Sequence, residues 1–215
     1  LRSDSTKKQT TYYSGTEAGE EFASWSKEYD VAGIKVKTVT DYTTTALGAL
    51  MASTVYKYIG AVAAYDPLDT KPALPAALDA NFAKKSVTTY NPIAKGSEKA
   101  NVTTSYQADG AAIETVTTYY YKIGAAPYNL ATAAGINADC VMTRSNTLRS
   151  DSTKKQTTYY SGTEVGEEAA DWSQEYNYNG TKTKTTTIYE RSGTGVLLSS
   201  TVYKDELTLA NVRTA

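Results

Sequence analysis

The chain has 215 residues, with 22 Lys and Arg against 23 Asp and Glu, a formal net charge of −1. That balance speaks against a nucleic-acid footprint or a polybasic membrane patch, and the lack of any His removes Ser–His and Cys–His catalysis and almost every zinc or copper site. A single Cys gives no internal disulfide framework, no stretch approaches the roughly 18 consecutive apolar residues of a spanning helix, and the first residues do not resemble a signal peptide.

Thr (34) and Tyr (19) make up about a quarter of the chain, while Leu, Ile, Val and Phe together number only 34. Such a low aliphatic content often marks disorder. Disorder, however, goes with high net charge and few aromatic or β-branched residues, and here both signs are reversed. Thr and Tyr suit pleated, half-buried surfaces. The composition predicts sheet without a thick aliphatic core, held by many cross-strand pairs.

An internal repeat organises the chain. Residues 1–17 recur unchanged at 148–164, and the match runs ungapped at an offset of 147 to Lys57/Lys204, with 38 of 57 positions identical. A third, diverged copy lies between: residues 84–119 align with 7–42 at an offset of 77, with 13 of 36 identities. Columns filled alike in all three include the Lys-Lys start, Gly19/Gly96/Gly166, Ala23/Ala100/Ala170, Tyr29/Tyr106/Tyr176, Gly33/Gly110/Gly180 and Tyr42/Tyr119/Tyr189. The reading is of three segments: 1–83, a repeat unit with a Pro-containing connection; 84–147, a diverged unit with its connection; and 148–215, a truncated second copy of the first. The chain starts and stops inside repeats, so the expectation is a piece of a much longer tandem array.

In chain order, strands are expected at 7–14, 23–29, 34–42 and 52–59. Trp25, Lys27 and Tyr29 alternate with Ser24, Ser26 and Glu28, and Ile34, Val36, Thr38, Thr40 and Tyr42 form a second period-two run. Between these runs Ala32-Gly33, Asp109-Gly110 and Asn179-Gly180 predict a tight hairpin turn with positive φ at Gly. Residues 61–83 carry Pro67, Pro72 and Pro75, and 75–84 is expected as a short Ala-rich helix. Strands follow at 84–91, 100–106 and 111–119. Residues 125–147 read as a small, polar connection, and 154–161, 170–176, 181–189 and 199–204 repeat the opening pattern. Gly15, Gly60, Gly124 and Gly162 interrupt the runs.

Few residues suggest chemistry. Glu20-Glu21 and Glu167-Glu168 are adjacent, and neighbours in a strand point to opposite faces, so they read as solvated edge charge. Lys7-Lys8, Lys84-Lys85 and Lys154-Lys155 either guard a sheet edge or meet carboxylates of a neighbouring unit. Trp25 and Trp172 share a column with Val102; they either pack or stack on a sugar ring, and the Val substitution favours packing. The Tyr columns stabilise the sheet through cross-strand pairs. Cys140 is either an interchain link or a buried small residue, with burial favoured. Asn101-Val-Thr103 and Asn179-Gly-Thr181 match the N-glycosylation pattern, which a Thr-rich chain produces by chance. No metal, cofactor or catalytic set is expected.

Tyr29-Asp30-Val31-Ala32-Gly33, followed by alternating residues, resembles the YD repeat of the RHS family. The other copies keep Tyr106 and Gly110, and Tyr176 and Gly180, but not the Asp, and the spacing is longer than in that family. The Thr/Tyr-rich composition is also similar to that of giant tandem-repeat bacterial surface and fibre proteins. The resemblance implies a long extracellular bacterial surface protein. The expected fold is all-β, with tandem antiparallel hairpins stacked into an elongated sheet, solenoid or fibre. The expected function is a structural segment of a filament or stalk, with neighbouring repeats or other copies as partners. The alternatives are an adhesin or polysaccharide-binding surface using Trp25 and Trp172, and an RHS-like shell. No enzymatic activity is expected.

Overall fold

Branched and ring-bearing side chains at alternate positions fit a pleated surface better than a helical turn. In the computed structural model, which describes residues 6–60 and 81–204, such runs form thirteen strands, and no helix occurs among the described residues. They are β1 (Gln9–Ser14), β2 (Phe22–Tyr29), β3 (Val36–Thr44), β4 (Leu50–Tyr58), β5 (Phe82–Asn91), β6 (Lys99–Tyr106), β7 (Ile113–Ile123), β8 (Ala126–Leu130), β9 (Met142–Arg149), β10 (Lys154–Ser161), β11 (Ala169–Tyr176), β12 (Thr183–Arg191) and β13 (Leu197–Lys204). Hydrogen bonding orders them β1-β2-β3-β4-β5-β6-β7-β9-β10-β11-β12-β13, with β8 paired to β7 alone. The fold is all-β and antiparallel, as the composition predicts.

Two compact units divide the chain: residues 1–98 with 104–113, and residues 99–103 with 114–215. In the first, one sheet face gathers Trp25, Tyr29, Val36, Val39 and Phe82, flanked by half-buried Tyr12, Tyr56 and Tyr58. In the second, Tyr121, Ala131 and Cys140 form a small core with Tyr119, Ile123, Ile136 and Met142 around it. Rings dominate the first of these cores, and Tyr121 anchors the second. A sheet poor in Leu and Ile thus still buries apolar surface.

The structural repeat has four strands, and its fourth strand explains the uneven spacing. Asp41 faces Thr54, 13 positions on, whereas the equivalent Thr118 faces Asn146, 28 positions on. The extra 15 residues fall between β7 and β9, where β8 pairs with the far end of β7. Thr54 then faces Val87, 33 positions on, whereas Asn146 faces Thr157, only 11 positions on. An insertion of 15 followed by a shortening of 22 accounts for the change from 77 to 70. Residues 125–147 are therefore not a plain connection: they hold β8 and most of β9. Met142, Arg144, Asn146 and Leu148 do alternate with Thr143, Ser145 and Thr147, but they lie outside the columns the copies share. The helix expected at 75–84 lies largely outside the described residues, and Phe82–Lys84 at its end belong to β5.

The hairpin turn between the second and third strands of each copy is wider than a two-residue turn. The Asp30 amide donates to the Lys35 carbonyl at 2.8 Å and the Gly33 amide to the Asp30 carbonyl at 3.0 Å, enclosing residues 31–34. Gly33 alone in that loop has positive φ, at 71°, the arrangement of a type I turn followed by a left-handed residue. The Asp30 carboxylate accepts the Ile34 and Lys35 amides, and the Asn177 side-chain carbonyl accepts those of Thr181 and Lys182. In the middle copy Gln107 holds the Asp30 column, and Asp109, two residues later, takes the Ala111 and Ala112 amides instead. The role survives the loss of the Tyr-Asp pair.

Glycine in this turn has a second cause. A Cβ on Gly33 would lie 2.7 Å from the Lys7 backbone nitrogen, and one on Gly110 would lie 2.6 Å from that of Lys84; Gly180 meets the Lys154 nitrogen in the same way. Each turn folds down onto the start of the first strand of its unit. Gly19 also has positive φ, at 90°, but faces open space. Gly33→Ala is expected to destabilise the chain by at least about 1 kcal/mol more than Gly19→Ala, read from urea unfolding midpoints.

Amide hydrogen bonds from Ile34 and Lys35 hold the Asp30 carboxyl below its ordinary value. A depressed carboxylate stabilises the turn above its unfolded value, and that support is lost as pH falls through the lower folded value. The Asn177 turn carries no such charge. Amide exchange at Ile34 and Lys35 should therefore accelerate on acidification below about pH 4, while Thr181 and Lys182 in the same sample keep their protection relative to the pH-dependent intrinsic rate.

Candidate functional site

Each copy builds the same small constellation where the turn meets the start of its first strand. Once Gly33 lets the turn approach, the Lys7 ammonium lies 5.5 Å from the centre of the Tyr29 ring; Lys84 stands 4.8 Å from Tyr106 and Lys154 5.5 Å from Tyr176. Cation–π contacts of this kind contribute about 0.5–2 kcal/mol depending on desolvation. The first Lys of each pair thus lies on the repeat Tyr. The second meets a carboxylate in one case: Lys155 is 3.9 Å from Glu114, both well exposed, a contact worth under about 1 kcal/mol.

The other recurrent structure is the joint between consecutive four-strand repeats, formed where β4 meets β5 and where β9 meets β10. At the first joint Thr54 faces Val87 and Ser53 faces Thr88; at the second Asn146 faces Thr157 and Ser145 faces Thr158. A diagonal hydroxyl pair crosses each joint: Ser53 to Tyr90 at 3.3 Å and Ser145 to Tyr160 at 3.2 Å. Diagonal neighbours in an antiparallel pair lie within reach of a tyrosine. The same pairing occurs inside repeats, Ser26 with Tyr42 at 3.3 Å and Thr103 with Tyr119 at 3.1 Å. Tyr189 occupies the matching position on β12, where Ser173 faces Thr187.

A carboxylate clasps each joint. Glu98 accepts the Leu50 amide at 2.8 Å, and Glu168 accepts the Met142 amide at 3.0 Å; Leu50 and Met142 open the fourth strands β4 and β9. Glu168 also accepts the Gly166 amide at 2.7 Å, as Glu21 accepts that of Gly19 at 2.9 Å. These glutamates precede β2, β6 and β11 rather than lying within strands, so the argument from opposite strand faces does not apply to them. Their role was missed, although Glu occupies this column in all three copies. At the far end a cation from the fourth strand reaches the next turn. Arg149 donates to the Tyr176 and Tyr178 carbonyls at 3.2 and 3.3 Å, and Lys57 in the same register helps hold the Asp109 carboxyl low, after its amide hydrogen bonds.

Trp25 and Trp172 are buried, with 5% and 4% of their surface exposed. Each stacks on the tyrosine directly across the strand: Tyr12 at 4.0 Å and 9°, Tyr159 at 3.8 Å and 12°. On the second unit the stack continues. Tyr159 meets Tyr128 edge-on at 6.1 Å, and the Arg144 guanidinium sits 4.2 Å from both Tyr128 and Tyr120. Burial raises the Tyr159 hydroxyl above its ordinary value, with the neighbouring Tyr128 and Tyr176 adding to it. A cavity of about 130 Å³ beside it is lined by Arg144, Gln156 and Tyr176 among others. Cys140 is buried, its thiol donating to the Asn137 side-chain oxygen at 3.4 Å.

No group of three or more His, Cys, Asp or Glu side chains that could hold a metal occurs among the described residues, and no helix among them is long and apolar enough to cross a membrane. Comparison with protein-family models finds no match, and comparison with curated proteins finds none.

Glu168→Ala would leave the Met142 amide without its acceptor. It is expected to cost about 1.5 kcal/mol and to speed exchange of that amide, read by hydrogen exchange, with β11–β12 pairing intact.

Proposed function

We propose that the chain is a structural repeat segment of a large extracellular filament or cell-surface stalk, acting by stacking four-strand units through a repeated joint. The observation that carries this reading is the recurrence of one joint in one register, with the same clasp and hydroxyl pair, at β4–β5 and at β9–β10. Units that contact only their neighbours add in series, and such chains lengthen without altering any single contact. The chemistry that recurs between copies lies in these contacts. The extracellular setting rests on the likeness to YD-repeat and tandem-repeat surface proteins.

A carbohydrate-binding reading through Trp25 and Trp172 draws less support, because each indole is buried and stacked on a tyrosine. The shell reading has no observation of its own. Electron microscopy of the native filament, or of a polypeptide carrying several tandem copies, should show rods with an axial period of about 19 Å, four strands at about 4.8 Å each. Compact particles of one size would overturn the reading. Acrylamide quenching should leave both indoles blue-shifted, and a spectral response to polysaccharide would favour the adhesin instead.

A further inference from the structure

Among the described residues, the two halves of the joint that links repeats also lie at the two ends of the strand order. β1 carries the half that β5 and β10 present, and β13 carries the half that β4 and β9 present. We propose that β13 of one copy of this chain pairs with β1 of a second copy, in the register of the internal joints. The inference rests on the filament reading and specifies its contact.

The register is fixed by equivalence. Thr54 facing Val87 becomes Thr201 facing Thr10, and Ser53 facing Thr88 becomes Ser200 facing Thr11. The Ser53–Tyr90 hydroxyl pair becomes Ser200–Tyr13, and the Glu98 clasp on Leu50 becomes Glu21 on Leu197. Lys204 takes the place of Lys57 and Arg149 against a turn that bears the carboxylate of Asp30. Every participant of the internal joint is present on the open edges.

Exposure marks the same residues. Tyr90 and Tyr160 are half-buried in their joints, whereas Tyr13 is 64% exposed; Val55 is half-buried in β4, whereas Val202 in β13 is 62% exposed. Leu197 and Leu198 are exposed beside it. Among the described residues no strand lies beyond β1 or β13, and an exposed, partly apolar strand edge is a template for another strand. The alternation of side chains selects the register, since a one-residue slip would reverse every face. β1 and β13 are different surfaces, so the contact is head-to-tail and adds copies serially unless it closes on itself.

Cysteine cross-linking of the full chain, with Cys140→Ala as background, tests this. Thr10→Cys and Thr201→Cys proteins, prepared separately, mixed and oxidised, should give a disulfide-linked pair, because directly opposed strand residues lie within disulfide reach. Thr10→Cys with Val202→Cys, one position off, should not. Glu21→Ala should weaken the association about tenfold in sedimentation while circular dichroism stays native. Covalent dimers from either single variant alone would indicate like-with-like edges and overturn the proposal. A chain that stays monomeric at high concentration, or links equally at both registers, overturns it as well. If tandem copies in one polypeptide still show the 19 Å period, the filament reading stands and only this intermolecular contact falls.

Discussion

Strand pairing between repeats depends on register, and register at each repeat boundary is set by a few polar contacts. Backbone ladders alone tolerate sliding when both faces are dominated by Thr and Ser, because one position looks much like the next. The Glu98 and Glu168 carboxylates pin the first amide of a fourth strand, and the Ser53–Tyr90 and Ser145–Tyr160 pairs pin its middle. A slip of one residue would put Tyr on the wrong face and leave the clasped amide unpaired. The hydrophobic term is non-directional, so polar groups supply the alignment.

Aromatic rings serve where aliphatic side chains are scarce. Trp25 on Tyr12, Trp172 on Tyr159 and the Arg144 guanidinium between Tyr120 and Tyr128 bury large flat surfaces against a sheet. Rings lying along a strand face need no second layer to find partners, since the neighbouring strand presents one directly opposite. The lysines at strand starts lie on a separate set of rings, Tyr29, Tyr106 and Tyr176.

Tolerance of insertion follows from the same arrangement. The middle copy carries 15 additional residues before its fourth strand and a passage shorter by 22 after it, yet the strands on either side keep their partners. The insertion supplies its own small core around Tyr121 and Cys140, so the sheet is not required to accommodate it. Lengthening a connection costs slowly with length, whereas displacing a joint contact costs a hydrogen bond at once.

Sequence by itself determined the strand class and most strand positions, because period-two alternation of Thr, Tyr and Val is a local property written residue by residue. It also located the Gly33, Gly110 and Gly180 turns, since positive φ favours glycine; the close approach to the preceding strand was a second reason invisible in one dimension. Trp25 and Trp172 were legible as a column, but their stacking partners were not, as Tyr12 and Tyr159 lie across a strand. Only the tertiary structure decided that residues 142–149 supply the fourth strand of the middle copy, where a connection was expected, and that Glu98 and Glu168 clasp the preceding repeat. Both depend on which segment lies beside which. Pairing between strands is a long-range choice, and a repeat aligned by identical columns conceals the element that enters from outside them.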